Sequence, residues 1–278
     1  MTSTLLSISP APARTAPVTG FELWRGPARY SREEIILVAT GYGRPSTNEK
    51  TGAMVQTYIL VAGIDPVEAV KTGADGSICG AGEHACSFRP AIAGPADSAA
   101  CYVNKGHGPL TVWRAWTRGR YPIVDPAAAG ARAADLGRPI RIGTYGDPAM
   151  VPVDVWRRLL QGAGSTGRHT GYTHQWRRAP FLRALCMASV DSPAERNEAR
   201  AAGWRTFRVG DDIGAGEISC PASIEAGKRT TCEHCRLCNG SRGPSDGRAD
   251  IAIRPHGGAI ALELARAGRR VETIGDAS

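Results

Sequence analysis

The sequence lacks any long hydrophobic run. No apolar stretch approaches about 18 residues, the length that a membrane-spanning helix needs, so we expect no transmembrane segment and no membrane partner. The first twenty residues lack a basic leader followed by an apolar stretch, so we also expect no secretory signal. These absences predict a cytoplasmic protein, in which cysteines stay reduced and are available for metal or redox work.

Several well-known site motifs are absent as well. The chain contains no G-x-x-x-x-G-K-[ST], no G-x-S-x-G and no H-E-x-x-H, which excludes the usual phosphate loop, nucleophile elbow and zinc-protease helix. The C-x3-C-x2-C motif of radical S-adenosylmethionine enzymes is also missing. Any active site must therefore be built from other residues.

Composition sets broad limits on the class of protein. With 278 residues and 42% hydrophobic residues, the chain can bury a good core and is not expected to be disordered. The formal charge of +8 is a modest bias towards polyanions. Arginine far outnumbers lysine and alanine and glycine are frequent, which is typical of a GC-rich genome, so charge alone is weak evidence for a nucleic-acid partner.

The most informative stretch is CPASIEAGKRTTCEHCRLC, which holds four of the eight cysteines. Cys232, Cys235 and Cys238 form C-x2-C-x2-C, and Cys220 precedes them. Thiolates two residues apart can face one ion, and a distant cysteine can complete the tetrahedron. Thiolates suit zinc and iron–sulfur clusters alike, so we predict a metal here and leave open which one. The alternatives are inert thiols, or disulfides that would be strained at this spacing.

A second cysteine region, residues 77–101, contains Cys79, Cys86 and Cys101 in a predicted loop rich in glycine and proline. Three thiolates could hold a zinc ion or a cluster with one open position, which is how a catalytic metal takes a substrate. His84 and His107 are candidate fourth ligands. The alternative is a set of scattered structural thiols.

The segment from residue 102 to 122 has no acidic residue and alternates aromatic with basic side chains. Such interleaving is typical of surfaces that stack single-stranded nucleic acid. The alternative is a helix whose indoles pack inward while its arginines are solvated. The candidate nucleic-acid-binding residues are Trp113, Arg114, Trp116, Arg118 and Arg120.

From Pro139 onward, predicted strands alternate with predicted helices. This pattern indicates parallel strands joined by right-handed crossovers. Counting two earlier strands, we predict an α/β fold of about eight strands: a partial or complete (β/α) barrel with an irregular, cysteine-containing N-terminal part. A doubly wound open sheet is the alternative. Residues 1–20 are predicted to be a flexible leader, and residues 21–278 a single domain with cysteine-rich loops at 77–101 and 220–238.

Polar residues follow several of the predicted strands, where active sites of such folds lie. Asp147, His174 and Asp191 are the candidate catalytic residues, for positioning a substrate or moving protons. Asp147 and Asp191 also precede predicted helix starts, so capping is the alternative role. Because Cys220 also follows a predicted strand, we expect these side chains and the thiolate-bound metal to lie together at the mouth of the barrel, where the strands end. Cys186, within ALCMASV, is predicted to be a buried inert thiol.

Several phrases, among them CYVNKGHGPL, RIGTYGDPA, TGYTHQWR, MASVDSPAE and GWRTFRV, resemble an uncharacterised family found mainly in phages and prophages. The resemblance covers about residues 33–257 and implies a host-cytoplasmic location but no catalytic residue. Relatives are expected to have a tighter first pair of cysteines than Cys79 and Cys86. A likeness to radical S-adenosylmethionine-like barrels exists at the level of the fold alone.

Two functions are consistent with these observations. The first is an enzyme that carries an iron–sulfur cluster or zinc and acts on a nucleotide or nucleic acid. The second is a non-catalytic nucleic-acid-binding protein stabilised by zinc.

Overall fold

The computed structural model describes residues 17–82, 85–86, 88–89, 101, 103–164 and 168–254. Most of the predicted leader lies outside these residues, as do His84, the helix predicted in GGAIALELARAG and the strand predicted in RRVETIG. Among the described helices, none has the length and apolar character required to cross a bilayer.

Nine strands and seven α-helices are found in the described part of the chain. The strands are β1 (Gly20–Pro27), β2 (Glu34–Thr40), β3 (Val55–Val61), β4 (Ile140–Tyr145), β5 (His169–Thr173), β6 (Met187–Val190), β7 (Thr206–Val209), β8 (Glu217–Ser219) and β9 (Asp250–Ile253). The helices are α1 (Pro66–Thr72), α2 (Gly76–Cys79), α3 (Gly108–Thr117), α4 (Pro126–Asp135), α5 (Val153–Gly162), α6 (Pro193–Ala201) and α7 (Cys232–Cys235). Short 3-10 turns span Pro148–Met150 and Pro180–Leu182.

All nine strands form one mixed sheet in the order β1-β2-β3-β4-β5-β6-β7-β9-β8. β2 runs antiparallel to β1 and β3, and every pairing from β3 to β8 is parallel. The predicted α/β class and parallel strands are therefore confirmed. From β3 to β7 each new strand is added on the same side of the previous one, so right-handed crossovers place the connecting helices on one face.

Local sequence explains where the main helices begin. The side chain of Ser192 accepts the Glu195 N–H at 3.1 Å and Pro193 occupies the first turn, which confirms the predicted start of α6. Asp65 caps α1 in the same way, with its carboxylate accepting the N–H groups of Val67 and Glu68.

Three elements differ from what the sequence predicts. β1 has no clear strand pattern of its own, yet it pairs with β2 along its whole length, from Gly20 opposite Thr40 to Pro27 opposite Glu34. α4 is likewise not predicted; its alanine-rich segment has no clear apolar period and is capped by Asp125. A short helix, α2, lies at the start of the region predicted as an uninterrupted loop. Pairing and packing with distant residues explain these differences.

The two faces of the parallel strands bury different sets of side chains. The main core lies on the helix-covered face and includes Ala188 and Val190 of β6 together with the buried Trp156 and Trp204. Met187 of β6 points the other way, into a second cluster with Met54, Ile251 and Ile253. Successive strand residues face opposite sides of a sheet, so this second cluster covers the face away from α6. Three of the cysteines lie in it.

Candidate metal centres and strand-end site

The first candidate site is the sheet-face cysteine cluster, defined by Cys220, Cys232, Cys235 and Cys238. Cys220 directly follows β8, and its N–H donates to the carbonyl of Ala252 in β9 at 2.8 Å. The cysteine is thereby anchored to the last strand pair of the sheet.

Helix α7 carries the next two cysteines and docks on the loop before β3. The Cys232 N–H donates to the Lys50 carbonyl at 2.9 Å, and the Glu233 N–H donates to the Thr51 carbonyl at 3.0 Å. The Glu233 carboxylate accepts the Ala53 N–H at 2.9 Å. These bonds fix a single helical turn that has too few residues to be stable alone.

The last cysteine is reached through a sharp change of chain direction. Arg236 has φ +50°, the left-handed conformation, and its N–H donates to the Cys232 carbonyl, which ends α7. The Cys238 carbonyl then accepts the Gly171 N–H of β5 at 2.9 Å. A non-glycine residue in this conformation costs about 1 kcal/mol, which the bonds on both sides of it must offset.

The four thiols are neighbours, and all but Cys235 are buried. Cys220, Cys232 and Cys238 belong to the second hydrophobic cluster. Burial raises the pKa of Cys238 to about 12, and the charges of the other three cysteines push it in the same direction. The half-buried Lys50 lowers the pKa of Cys220 and Cys232, and Arg141 also lowers that of Cys232, although burial outweighs both. All eight cysteines are free thiols, so the disulfide alternative is not realised in the structure.

The four thiols lie near one another, but their sulfur atoms do not surround a common point. Within the described ranges, no three histidine, cysteine, aspartate or glutamate side chains stand in position to hold one metal ion. A single zinc ion therefore requires the thiol side chains to rotate towards a common centre. An iron–sulfur cluster tolerates wider spacing, because its thiolates bind different irons. Four cysteine thiolates are suitable ligands both for a zinc ion and for an iron–sulfur cluster.

The cysteine stretch contacts both ends of the strands: Cys220 follows β8, just as Asp147 and His174 follow β4 and β5. Its second half bonds to residues that precede strands: Lys50 before β3, and Arg205 before β7, whose guanidinium donates to the Leu237 carbonyl at 2.7 Å. The structure thus places the segment from Cys232 to Leu237 towards the opposite ends of the strands from Asp147 and His174, whereas the sequence led us to expect them together.

The second candidate site, the strand-end site, is defined by Cys79, Cys86, Cys101, Tyr145 and His174. Cys86 and His174 make its closest side-chain contact, with 4.0 Å between the thiol Sγ and the imidazole Nε2. Burial lowers the pKa of His174, but the charges of Cys86, Asp191 and Asp147 outweigh it and raise that pKa to about 10. This pair can form a hydrogen bond or supply two ligands to one metal.

Cys79 and Cys101 lie near this pair. The Cys86 N–H donates to the Cys79 carbonyl at 3.3 Å. Burial raises the pKa of Cys79 well above its usual value, and the charges of Cys86 and Cys101 add to the rise. The pKa of Cys101 is raised in the same way, first by burial and then, among charges, by Cys86. The three early cysteines therefore occupy one neighbourhood despite their wide spacing in sequence.

A buried ion pair ties the described residues after Cys86 to the segment before Cys79. The Arg89 guanidinium donates to both carboxylate oxygens of Asp75, at 2.5 and 3.0 Å, and to the carbonyls of Gly80 and Gly73. Both side chains are buried. A paired, hydrogen-bonded charge of this kind fixes the position of the loop more than it adds to stability.

Asp147 has a structural role in this site. Its buried carboxylate accepts hydrogen bonds from the Ala149 N–H at 2.9 Å, the Thr173 hydroxyl at 2.7 Å and the His174 N–H at 2.8 Å. It caps the turn Pro148–Met150, as the capping alternative predicts. We therefore describe Asp147 as a positioning residue for His174.

Asp191 and His107 are more exposed to solvent than Asp147. Asp191 is exposed, and its N–H donates to the Glu195 carboxylate at 2.8 Å at the start of α6. His107 is exposed at the N-terminus of α3, and Cys186 is fully buried, as predicted. In the described part of the chain the histidine beside the early cysteines is His174, whereas the sequence suggests His84 and His107 for that role.

The indoles of α3 are engaged with the core. Trp113 donates its Nε1–H to the Val61 carbonyl at 3.2 Å, and Trp116 donates to the Glu22 carboxylate at 2.6 Å. Both rings pack against the main core, whereas Arg114, Arg118 and Arg120 are exposed. This arrangement is the one expected of a helix whose indoles pack inward while its arginines are solvated. Base stacking by the indoles stays a prediction.

Three residues that sequence reasoning does not select belong to these sites. Lys50 and Arg141 stand beside the sheet-face cysteines, and Tyr145 ends β4 within the strand-end site. The position of Tyr145 directly before Gly146 and Asp147 is a signal that sequence alone contains. Lys50 is far from its cysteines along the chain, and no local pattern relates them.

Comparison of the chain with protein-family models, with curated proteins and with solved structures gives no match in any of the three.

Proposed function

We propose that the protein is a thiolate metalloprotein in which Cys220, Cys232, Cys235 and Cys238 hold an iron–sulfur cluster or a zinc ion. The observation that carries this proposal is the gathering of four free thiols, three of them in one buried cluster and the half-buried Cys235 on the same helix as Cys232. Burial and mutual repulsion disfavour thiolates at this place, and a bound metal cation would neutralise them and so stabilise the deprotonated cysteines.

The charges around the cluster support the same conclusion. Four thiolates on a divalent ion leave a net negative charge, and Lys50 and Arg141 supply positive charge at this place. Burial lowers the pKa of Lys50, while Cys220 and Cys232 act to keep it protonated. Arg141 also lies over the Tyr172 ring, at 5.9 Å from its centroid, which holds the guanidinium beside the cysteines.

The sheet provides a surface for such a centre. We propose that the constant direction of winding from β3 to β7 makes the sheet a partial (β/α) barrel, with the helices outside and the cysteine cluster on the inner face. In a doubly wound sheet helices would cover both faces. Here the strand order reverses between β8 and β9, and the crossover between these two strands is the cysteine segment. The cysteine segment occupies the face that helices would otherwise cover.

Purification under anaerobic conditions, followed by elemental and acid-labile sulfide analysis, tests the proposal. We expect iron with sulfide and a brown colour, or zinc in a colourless protein. The Cys232→Ser and Cys238→Ser variants should lose the iron and sulfide, or about one equivalent of zinc, and the Cys186→Ala variant, which removes a buried thiol outside the cluster, should keep them. A wild-type protein that contains neither metal, and takes up neither on reconstitution, refutes the proposal.

A nucleic-acid partner is the second candidate, favoured by the exposed Arg114, Arg118 and Arg120. In this proposal the arginines contact phosphates and the engaged indoles hold α3 in place. An enzyme acting on a nucleotide or nucleic acid would use the strand-end site, where polar side chains meet at the carboxyl ends of β4 and β5. Salt-dependent retention of single-stranded DNA tests the binding itself.

A further inference from the structure

We propose that Cys79, Cys86, Cys101 and His174 form a second metal site, with His174 as its fourth ligand, for a borderline-soft divalent ion such as Zn²⁺. The two sites share no ligand, so a failure of one proposal does not imply a failure of the other. Three thiolates and one imidazole are a common tetrahedral zinc set.

The contact between Cys86 and His174 has nearly the spacing that such a site needs. Two ligands on a tetrahedral zinc, one sulfur and one nitrogen, lie about 3.6 Å apart, from the usual bond lengths. The Cys86 Sγ and His174 Nε2 are 4.0 Å apart. Among the described residues no three such side chains are in position to hold an ion, so the thiols must also rotate towards His174 for all four ligands to meet.

Backbone contacts hold three of the four ligands in one frame. The Asp147 carboxylate accepts the His174 N–H, and the Asp147 N–H donates to the carbonyl of Ile78, the residue before Cys79. The Gln175 side chain donates to the Cys79 carbonyl at 3.3 Å, and the Cys86 N–H donates to the same carbonyl. The loop and the end of β5 are thus tied together before any ion binds.

An unpaired hydroxyl points independently to a ligand at this place. The Tyr145 side chain is 4% exposed, and its hydroxyl has no hydrogen-bond partner among the described residues. It lies close enough to Cys79 and Cys101 for their charges to act on it. A metal-bound thiolate is an acceptor for such a buried O–H donor, and hydrogen bonds of this kind tune thiolate–metal centres.

The test measures zinc in the full-length Cys232→Ser/Cys235→Ser protein, in which the sheet-face cluster is disabled. We expect about one zinc per chain, with one nitrogen and three sulfur ligands by X-ray absorption. Adding His174→Ala should remove most of this zinc, whereas His174→Cys should retain it with sulfur ligands alone. Retention of zinc with an unchanged ligand shell in both His174 variants would overturn the assignment of His174.

Loss of all zinc from the Cys232→Ser/Cys235→Ser protein, while its circular dichroism spectrum stays that of the wild type, would overturn the second site but leave the sheet-face proposal intact. If that protein does not fold, His174→Ala and His174→Cys are compared in the wild-type background after loading with Zn²⁺. There the inference requires loss of about one zinc equivalent in the first variant and its recovery in the second. Equal zinc contents in wild type and His174→Ala would contradict it.

Discussion

The carboxylate of Asp147 accepts the backbone N–H of His174 at 2.8 Å and thereby joins the end of β4 to the end of β5. The same carboxylate accepts two further hydrogen bonds, from Ala149 and Thr173. A buried carboxylate with three donors organises its surroundings, and it has little capacity left to take a proton from a substrate.

Replacing Asp147 should therefore destabilise the fold. Asp147→Asn puts an amide N–H₂ where only acceptors fit, and we expect a loss of about 1–3 kcal/mol in the free energy of unfolding, measured with urea. Asp154→Asn is the matched control, because Asp154 is exposed and its ion pair with Arg157 lies at the surface. Equal stabilities of the two variants would contradict the positioning role.

A pH-dependent contribution to stability is expected from Asp246. Its carboxylate is almost fully buried and accepts hydrogen bonds from Arg248, at 2.6 and 2.9 Å, and from the Arg242 N–H. The hydrogen bonds from Arg248 hold the Asp246 pKa far below its ordinary value, against the opposing effect of burial. Folding therefore gains stability above the unfolded pKa of about 3.9 and loses it as the pH falls.

Asp246→Asn should accordingly be less stable than wild type at pH 7, by about 1–3 kcal/mol. The difference should shrink as the pH is lowered from about 4 towards the folded-state pKa. Urea unfolding of both proteins at pH 7, 5 and 3 measures it. A difference that stays constant over this range would show that the carboxylate charge is not responsible.

The crossing of α4 and α5 depends on two glycines. A Cβ at Gly130 would lie 2.0 Å from the Leu159 carbonyl oxygen, and one at Gly162 would lie 1.9 Å from the Ala127 carbonyl oxygen. Both contacts are with backbone, so the helices must move apart. We expect Gly162→Ala to lower the midpoint of thermal unfolding, with a cost of about 2–3 kcal/mol. Gly63→Ala, with open space around the new Cβ, should leave the midpoint nearly unchanged.

If the protein binds nucleic acid through α3, the arginines should account for the binding. Changing Arg114, Arg118 and Arg120 to glutamine should weaken retention of single-stranded DNA. It should also reduce the slope of log affinity against log salt by about 0.7 for each phosphate that is no longer neutralised. Trp113→Phe keeps a packed ring and should bind like wild type. Weaker binding by Trp113→Phe, with the arginine variant unaffected, would favour stacking instead.

Sequence reasoning succeeds where structure is local. The strand–helix alternation after Pro139 predicts β4 to β9 and α6, because each element has its own apolar period or capping residue. It fails for β1, which becomes a strand through its pairing with β2, and for α4, whose packing depends on Gly162 of another helix.

For the candidate sites, too, the sequence predicts only the residues that are close together along the chain. The spacing of Cys232, Cys235 and Cys238 identifies them as a group, since such cysteines are close in any compact turn. Nothing local shows that the loop before β3 meets them, or that His174 stands beside Cys86. Those contacts arise from the order of strands in the sheet, which a single sequence does not encode in any short pattern.

The bond from the Ala53 N–H to the Glu233 carboxylate joins positions 180 residues apart. During synthesis, the loop before β3 must wait for most of the sheet to be translated before α7 can dock on it. The sulfur atoms of Cys220, Cys232, Cys235 and Cys238 therefore come together late in folding. A metal bound by these four cysteines would report that the first and last parts of the sheet have met.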